Sequence, residues 1–147
     1  MVNKFIGSWQ LINCKLFNFE QQEIPDPFHN ASGLIVYTKE GSMSAQIMQN
    51  YAKDQFIKKI NNLSQEDYKE LFHKYIAYYG TYNINNQDQT ITHKVIGALW
   101  PQMIEKSFTR SFEFKDEDTL ILTNTEYEAI GRHDQVKRYL TWQRIKV

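Results

Sequence analysis

Apolar and polar residues alternate along most of this chain, which is the two-residue period of β-strands that bury one face. Segments with this pattern are predicted as strands at residues 6–19, 33–38, 42–48, 81–84, 90–99, 107–114, 120–123 and 136–145. Short polar turns such as Lys39-Glu40-Gly41 join them, so consecutive strands are expected to pair as antiparallel hairpins. The pattern predicts one mainly β domain over residues 1–147.

After the third predicted strand the apolar period lengthens to that of a helix. Apolar residues in the segment 50–62 are spaced by three and four positions, and Ser64 and Asp67 then match a capping box. A helical stripe follows, made of Tyr68, Leu71, Phe72, Tyr75, Ile76 and Tyr79. Gly80 ends this helix or begins the next strand. We therefore expect two helices after the third strand, the second packed over one mouth of the β-structure.

The two ends of the chain predict how the sheet closes. Gly7-Ser8-Trp9 opens the first strand, and Leu140-Thr141-Trp142-Gln143-Arg144 closes the last one. If these two strands pair, the sheet has no unpaired edge, which protects an all-β protein from edge-to-edge association. The sequence thus predicts an antiparallel up-and-down barrel of about eight strands. A barrel of this size is either filled by side chains or holds one small molecule.

Composition narrows the class of function. The 17 basic residues balance 17 acidic ones, so we expect no nucleic-acid partner, because such partners require a basic surface. No apolar run is long enough for a membrane helix, and the first residues lack the apolar core of a secretory signal. Cys14 is the only cysteine and is expected to be a small apolar filler. These features predict a cytoplasmic protein without membrane association.

One polar side chain is predicted on the inner face of the strand at residues 107–114. Arg110 shares that face with Phe108 and Phe112, because side chains alternate along a strand. A guanidinium stays charged, and an unpaired buried charge is very costly. Arg110 therefore needs an internal carboxylate, carbonyls and hydroxyls, trapped water or an anionic ligand. The alternative is an arginine that stacks on an aromatic ring and donates to backbone carbonyls at the rim.

His93 is also predicted to point inward, on the same face as Ile91 and Val95. It is either a hydrogen-bonded core residue or a ligand contact. Tyr82 is predicted to line a pocket. The four histidines have no metal-ligand spacing, and neither a nucleophile elbow nor a phosphate-binding glycine loop occurs. No metal and no cofactor are predicted.

Several motifs of this chain recur in the same order in a known family. They are Gly7-Ser8-Trp9-Gln10-Leu11, Gly33-Leu34-Ile35-Val36-Tyr37-Thr38, Gly41-Ser42-Met43-Ser44-Ala45-Gln46, Tyr75-Ile76-Ala77-Tyr78-Tyr79-Gly80-Thr81-Tyr82, Thr92-His93, Pro101, Arg110 with Phe112, and Leu140-Thr141-Trp142-Gln143-Arg144. In this ordered set the chain resembles the lipocalin-like domain family of small bacterial and fungal barrels. The resemblance implies a lipocalin-like barrel with Trp9 plugging one end and Arg144 stacking near it. It also implies that His93 and Arg110 occupy recurrent positions, but it supplies no reaction.

The function predicted from these features is the binding of a small hydrophobic or amphipathic, anionic molecule inside the barrel. The predicted ligand-binding residues are Arg110, His93, Tyr82, Phe108 and Phe112. One alternative is a cofactor-free isomerase, cyclase or hydratase, with His93 as general base and Arg110 stabilising an enolate or carboxylate. Another is a filled barrel that serves protein–protein contacts, including those of a homodimer.

Overall fold

The strands and helices are taken from a computed structural model that describes residues 3–50, 61–130 and 133–146. The strands in this part of the chain are β1 (Gly7–Asn18), β2 (Glu23–Ile24), β3 (Ser32–Tyr37), β4 (Ser42–Met48), β5 (Tyr75–Asn85), β6 (Thr90–Ala98), β7 (Ser107–Asp116), β8 (Thr119–Asn124), β9 (Glu128–Ile130) and β10 (His133–Arg144). The helices are α1 (Gln65–His73) and a 3₁₀-helix (Pro101–Met103). The chain is mainly β, as predicted.

Eight of these strands close into an antiparallel barrel. Their order around the barrel is β1, β3, β4, β5, β6, β7, β8 and β10, and β10 pairs back onto β1. The closing pair runs from Trp9 opposite Arg144 to Asn18 opposite Val136. The short strands β2 and β9 pair only with β1 and β10, respectively. The first and last strands of the barrel therefore pair, and the predicted closed barrel is confirmed.

The helices differ from the prediction of two helices after the third strand. The first predicted helix, at residues 50–62, falls mostly on residues 51–60, which lie outside the described part of the chain. The described residues contain one α-helix, and it follows β4 because the two-residue β2 adds a strand that the sequence pattern did not reveal. The capping box at its start is confirmed, since Asp67 N donates to Ser64 Oγ at 3.1 Å and Ser64 N donates to Asp67 Oδ2 at 3.0 Å.

The predicted second helix is too long. Helix α1 ends at His73, and the residues from Tyr75 onward form β5, paired with β4 on one side and β6 on the other. Tyrosine and isoleucine favour strands, and pairing on both sides outweighs a helical spacing that arose by chance. Gly80 neither ends a helix nor begins a strand. It lies within β5 at an irregularity in the pairing with β6, where a Cβ atom would collide with the carbonyl oxygen of Lys94.

One end of the barrel is filled by aromatic side chains, and we call it the filled end. Its rings come from Phe5, Trp9, Tyr37, Tyr82, Phe112, Phe114 and Trp142. The Phe5 ring lies 4.9 Å from Phe112 and 5.0 Å from Phe114 in edge-to-face geometry. Trp9 is 0% exposed, and the Arg144 guanidinium carbon lies 4.2 Å from its ring centroid. The arrangement that the family resemblance implied for Trp9 and Arg144 is therefore present.

Candidate functional site

The other end of the barrel contains a cavity of about 160 Å³, and we call this region the hollow end. Apolar side chains on its wall include Phe28, Ile47, Ile76, Phe108, Leu122 and Leu140. Polar side chains on the wall include Tyr78, Arg110, Glu128 and Arg138. Most of the wall comes from inward positions of the barrel strands, whereas Phe28 comes from the loop between β2 and β3. The cavity is thus an apolar space with two guanidinium groups on its wall.

Arg110 lies on this wall with its Cζ atom 5.6 Å from the ring centroid of Phe108. Its Nη1 atom donates to the backbone oxygen of Thr109 at 3.3 Å. Within residues 3–50, 61–130 and 133–146, no carboxylate forms an ion pair with it. Glu128 also contributes to the cavity wall, but it is exposed to solvent. Arg110 is therefore a half-buried cation with no described ion-pair partner.

Arg138, the second guanidinium, has a partner. Its Nε donates to Asp26 Oδ2 at 2.8 Å and its Nη2 donates to Asp26 Oδ1 at 2.9 Å, which forms a bidentate pair. Burial alone would raise the pKa of Asp26, but hydrogen bonds from Arg138 and from the backbone N–H of Phe28 outweigh it and lower this pKa. The pair fixes the loop that places Phe28 over the cavity, and the Arg138 Cζ atom lies 5.2 Å from the Phe28 ring centroid.

Cys14 also contacts this ion pair. Its thiol donates to Asp26 Oδ2 at 3.2 Å, and the residue is 2% exposed. Burial and the negative charge of Asp26 raise the pKa of Cys14 to about 12. The thiol therefore stays protonated near neutral pH, which is the opposite of the environment that activates a nucleophilic cysteine. A buried packing role, as predicted, is the one that this geometry supports.

His93 lies between the two ends of the barrel and is 2% exposed. Its Nε2 atom is 2.8 Å from the hydroxyl of Tyr37, and its Nδ1 atom is 2.9 Å from the hydroxyl of Tyr78. Burial, and secondarily the positive charge of Arg110, lower the pKa of His93 to about 3. The imidazole is neutral at physiological pH, so one ring nitrogen donates a hydrogen bond and the other accepts one. Both nitrogens are used by tyrosines.

The predicted ligand-binding residues divide between the two ends. Arg110 and Phe108 line the cavity together. His93 reaches it only through Tyr78. Tyr82 lies at the filled end and donates to the backbone oxygen of Thr38 at 2.6 Å. Phe112 also packs there, against Phe5. The ligand role predicted for His93, Tyr82 and Phe112 stays a prediction, and the geometry gives them core contacts.

At the hollow end the sequence analysis missed Asp26 and did not select Tyr78. Tyr78 is one of four tyrosines at the predicted junction of helix and strand, some of which could line a pocket mouth, but Tyr82 was preferred because it shares a face with Ile84. The helical spacing through Tyr79 conceals the strand on which Tyr78 points inward.

Asp26 is overlooked because it lies in a loop between Pro25 and Pro27, where an aspartate is ordinarily a turn residue. The signal for Asp26 was indirect. An inward-facing arginine can be neutralised by a buried acid, and a loop that folds over the barrel mouth can supply that acid.

Comparison with known proteins gives the family. A model of the lipocalin-like domain family matches residues 6–145. The chain belongs to this family. No curated protein matches this lipocalin-like chain. Two solved structures are similar to this chain. The first is a redesigned β-barrel with 10% sequence identity and a TM-score of 0.44, and the match covers 97% of this chain and 93% of that one. The second is a de novo designed fluorescence-activating β-barrel with 7% identity and a TM-score of 0.44, and the match covers 99% of this chain and 100% of that one.

The hollow end of this lipocalin-like barrel offers positive charge and hydrogen-bond donors beside apolar side chains. Arg110 and Tyr78 supply the polar groups, and Phe108 lies next to both, with its ring centroid 6.3 Å from that of Tyr78. Across the described residues, no group of three His, Cys, Asp or Glu side chains could hold a metal ion. No helix in the described part of the chain has the length and apolar character needed to cross a membrane.

Proposed function

We propose that the barrel binds one small, partly apolar anion in the hollow end and that Arg110 holds its anionic group. The observation that supports this most directly is the contrast between the two arginines on the cavity wall. Arg138 is neutralised by a bidentate carboxylate, whereas Arg110 has no described ion-pair partner and faces the apolar space. A bound carboxylate, phenolate or enolate would give Arg110 the partner that Asp26 gives Arg138.

The cavity favours a ligand that is apolar apart from this one group. Aromatic and aliphatic side chains form most of its wall, and burial of apolar ligand surface against them is worth roughly 25 cal/mol per Å². The anionic oxygen atoms would lie at Arg110, and the apolar part would contact Phe28, Ile76 and Leu140. This division of the wall supports an amphipathic ligand over a fully polar one.

A titration tests this proposal. We expect calorimetry to show that small amphipathic anions such as benzoate and hexanoate bind the wild-type protein. Arg110→Leu should lower the affinity for these anions at least tenfold. Lys94→Leu is the matched control, because Lys94 is an exposed cation on the neighbouring strand and its loss leaves the cavity unchanged. Equal affinity of wild type and Arg110→Leu for every anion would overturn the proposal.

The geometry gives less support to an enzyme in which His93 is the general base. Both ring nitrogens are hydrogen-bonded to tyrosines, and the pKa of about 3 makes the imidazole a weak base near neutral pH. Turnover would have to proceed through Tyr78, the hydroxyl that separates His93 from the cavity.

Protein–protein contact is a second candidate function, supported by one observation. On helix α1 the side chains of Tyr68 and Phe72, one helical turn apart, are 59% and 39% exposed, which gives the helix an apolar outer surface. If this helix mediates self-association, sedimentation velocity will show an oligomer for the wild type and a monomer for Tyr68→Ser. A monomeric wild type at high concentration would remove the homodimer as a candidate.

A further inference from the structure

The row Tyr37–His93–Tyr78 crosses the barrel from the filled end to the cavity, and its hydrogen atoms have only two arrangements. In one, His93 carries its proton on Nε2 and donates to Tyr37, while Tyr78 donates to Nδ1. In the other, Tyr37 donates to Nε2 and His93 donates from Nδ1 to the oxygen of Tyr78. In either arrangement, one tyrosine hydroxyl keeps a hydrogen atom that His93 does not accept.

Burial selects between the two arrangements. Tyr37 is 1% exposed, and within the described residues His93 is the sole hydrogen-bond partner of its hydroxyl. A proton on Nε2 would leave the Tyr37 hydrogen buried without an acceptor, at a cost that makes this arrangement the minor one. Tyr78 lines the cavity, so its free hydrogen can reach a ligand or water there. The neutral imidazole therefore carries its proton on Nδ1.

This proton order makes Tyr78 a hydrogen-bond donor to the cavity. Tyr78 and Arg110 both lie beside Phe108, with the Tyr78 ring centroid 6.3 Å and the Arg110 Cζ atom 5.6 Å from the centroid of that ring. Burial raises the pKa of Tyr78 to about 12, although Arg110 opposes this shift, so the phenol keeps its proton. One cationic donor and one neutral donor thus face the same space, and carboxylate oxygen atoms are acceptors for both.

The volume of the cavity limits the size of the ligand. Cavities of about 150 Å³ accommodate a molecule of the size of benzene. The cavity here is about 160 Å³, so the buried part of the ligand is a single ring or a chain of comparable volume. A ligand of two fused rings would extend from the cavity toward its open side.

We propose, building on the anion binding proposed above, that the ligand is a monocarboxylate of about the size of benzoate and that Tyr78 binds it together with Arg110. His93 is a positioning residue in this site. It accepts from Tyr37 and donates to the oxygen of Tyr78, which turns the Tyr78 hydrogen toward the cavity.

The first test needs no ligand. ¹⁵N chemical shifts of the His93 ring distinguish a protonated Nδ1 from a protonated Nε2 in the wild-type protein, with His93→Gln used for assignment. We expect the proton on Nδ1. A proton on Nε2 would make Tyr78 a donor to His93 rather than to a ligand, and it would overturn the assignment of Tyr78 while leaving anion binding by Arg110 intact.

The second test measures benzoate affinity. We expect Tyr78→Phe to lower the affinity for benzoate about tenfold. The affinity for toluene, which has no hydrogen-bond acceptor, should stay unchanged. Tyr79→Phe is the matched control, because it removes the same hydroxyl from the next residue, which is 55% exposed on the outer face of β5. Unchanged benzoate affinity in Tyr78→Phe, together with a loss in Arg110→Leu, would overturn the role of Tyr78 alone.

The size of the ligand is tested with 2-naphthoate. We expect benzoate to bind more tightly than 2-naphthoate. Tighter binding of 2-naphthoate would overturn the size limit and leave the anion site standing. If the wild-type protein bound neither these two carboxylates nor hexanoate, both this inference and the proposed function would fail.

Discussion

The filled end and the hollow end of this barrel are stabilised by different interactions. At the filled end, aromatic rings contact one another directly, and Trp9 and Trp142 are almost completely buried. At the hollow end, the bidentate pair of Arg138 and Asp26 and the hydroxyl of Tyr78 surround a cavity of about 160 Å³. Packed aromatic rings leave no room for another molecule. Hydrogen bonds between side chains of the cavity wall hold the wall in place but do not fill the space inside it. This difference predicts that aromatic packing stabilises one end of the barrel, and it places the proposed binding site at the other.

Phe108 and Phe112 allow the sharpest comparison of the two ends, because they lie four residues apart on the same face of β7. Phe112 packs on Phe5 and Phe114, while Phe108 borders the cavity. We expect Phe112→Ala to lower the free energy of unfolding by about 4 kcal/mol and Phe108→Ala by about 2 kcal/mol, since fewer contacts are lost beside an existing cavity. Urea unfolding measures both. Equal losses would contradict the division into a filled and a hollow end.

The ion pair that closes the hollow end should also contribute strongly to stability. Asp26 is almost fully buried, so Asp26→Asn leaves Arg138 without a counter-charge, and we expect a loss of about 3 kcal/mol at neutral pH. Lys115→Ala is the control, because Lys115 forms an ion pair with Glu113 at 3.0 Å on the exposed outer face. This control should change stability by less than about 0.5 kcal/mol. A loss in Asp26→Asn as small as that of the control would show that the ion pair of Arg138 and Asp26 is not needed for stability.

The two-residue period was sufficient to predict most of the barrel. It identified the eight barrel strands, one of them only in part, and missed the short strands β2 and β9. The inward positions of His93, Tyr82 and Arg110 followed from parity alone, because a single buried face fixes the register of a strand. Periodicity failed at residues 75–79, where apolar residues satisfied the helical and the strand patterns at once. Pairing with β4 and β6 decided the outcome there, and this is a long-range interaction that local spacing does not report.

The candidate site was less predictable than the fold. Parity shows that a side chain points inward, but it does not show which end of the barrel it faces. Phe108 and Phe112 are therefore equivalent in the sequence and differ in the structure. Only an indirect signal pointed to the partner of Arg138, because Asp26 is separated from it by 112 residues and lies in a loop without a periodic pattern.

His93 links the two ends, and its burial should appear in the pH dependence of stability. Its pKa falls from 6.5 to about 3 on folding, so the unfolded chain binds the proton more tightly and stability decreases as the pH falls below 6.5. Between pH 7 and pH 5 we expect a loss of about 2 kcal/mol in the wild type from this group. Asp26 does not contribute in this window, because its lowered pKa confines its effect to more acidic solutions.

His93→Gln removes the titrating group, so its unfolding free energy should change less between pH 7 and pH 5 than that of the wild type. His73→Gln is the matched control for the substitution itself, because it replaces an exposed histidine at the end of α1. If His93→Gln kept the full pH dependence, a buried neutral imidazole would be ruled out as its source.

The smallest expected effect distinguishes the two tyrosines that hold His93. Tyr37→Phe leaves the acceptor Nε2 without a partner in the buried centre of the barrel, and we expect a loss of about 1.5 kcal/mol. Tyr78→Phe leaves the Nδ1 hydrogen next to the cavity, where water can accept it, so the loss should stay below about 1 kcal/mol. Urea unfolding of both variants at pH 7 measures the difference. A larger loss for Tyr78→Phe than for Tyr37→Phe would contradict the assignment of the His93 proton to Nδ1. The more important hydrogen bond of His93 would then be the one to Tyr78, which lines the cavity, and not the one to the buried Tyr37.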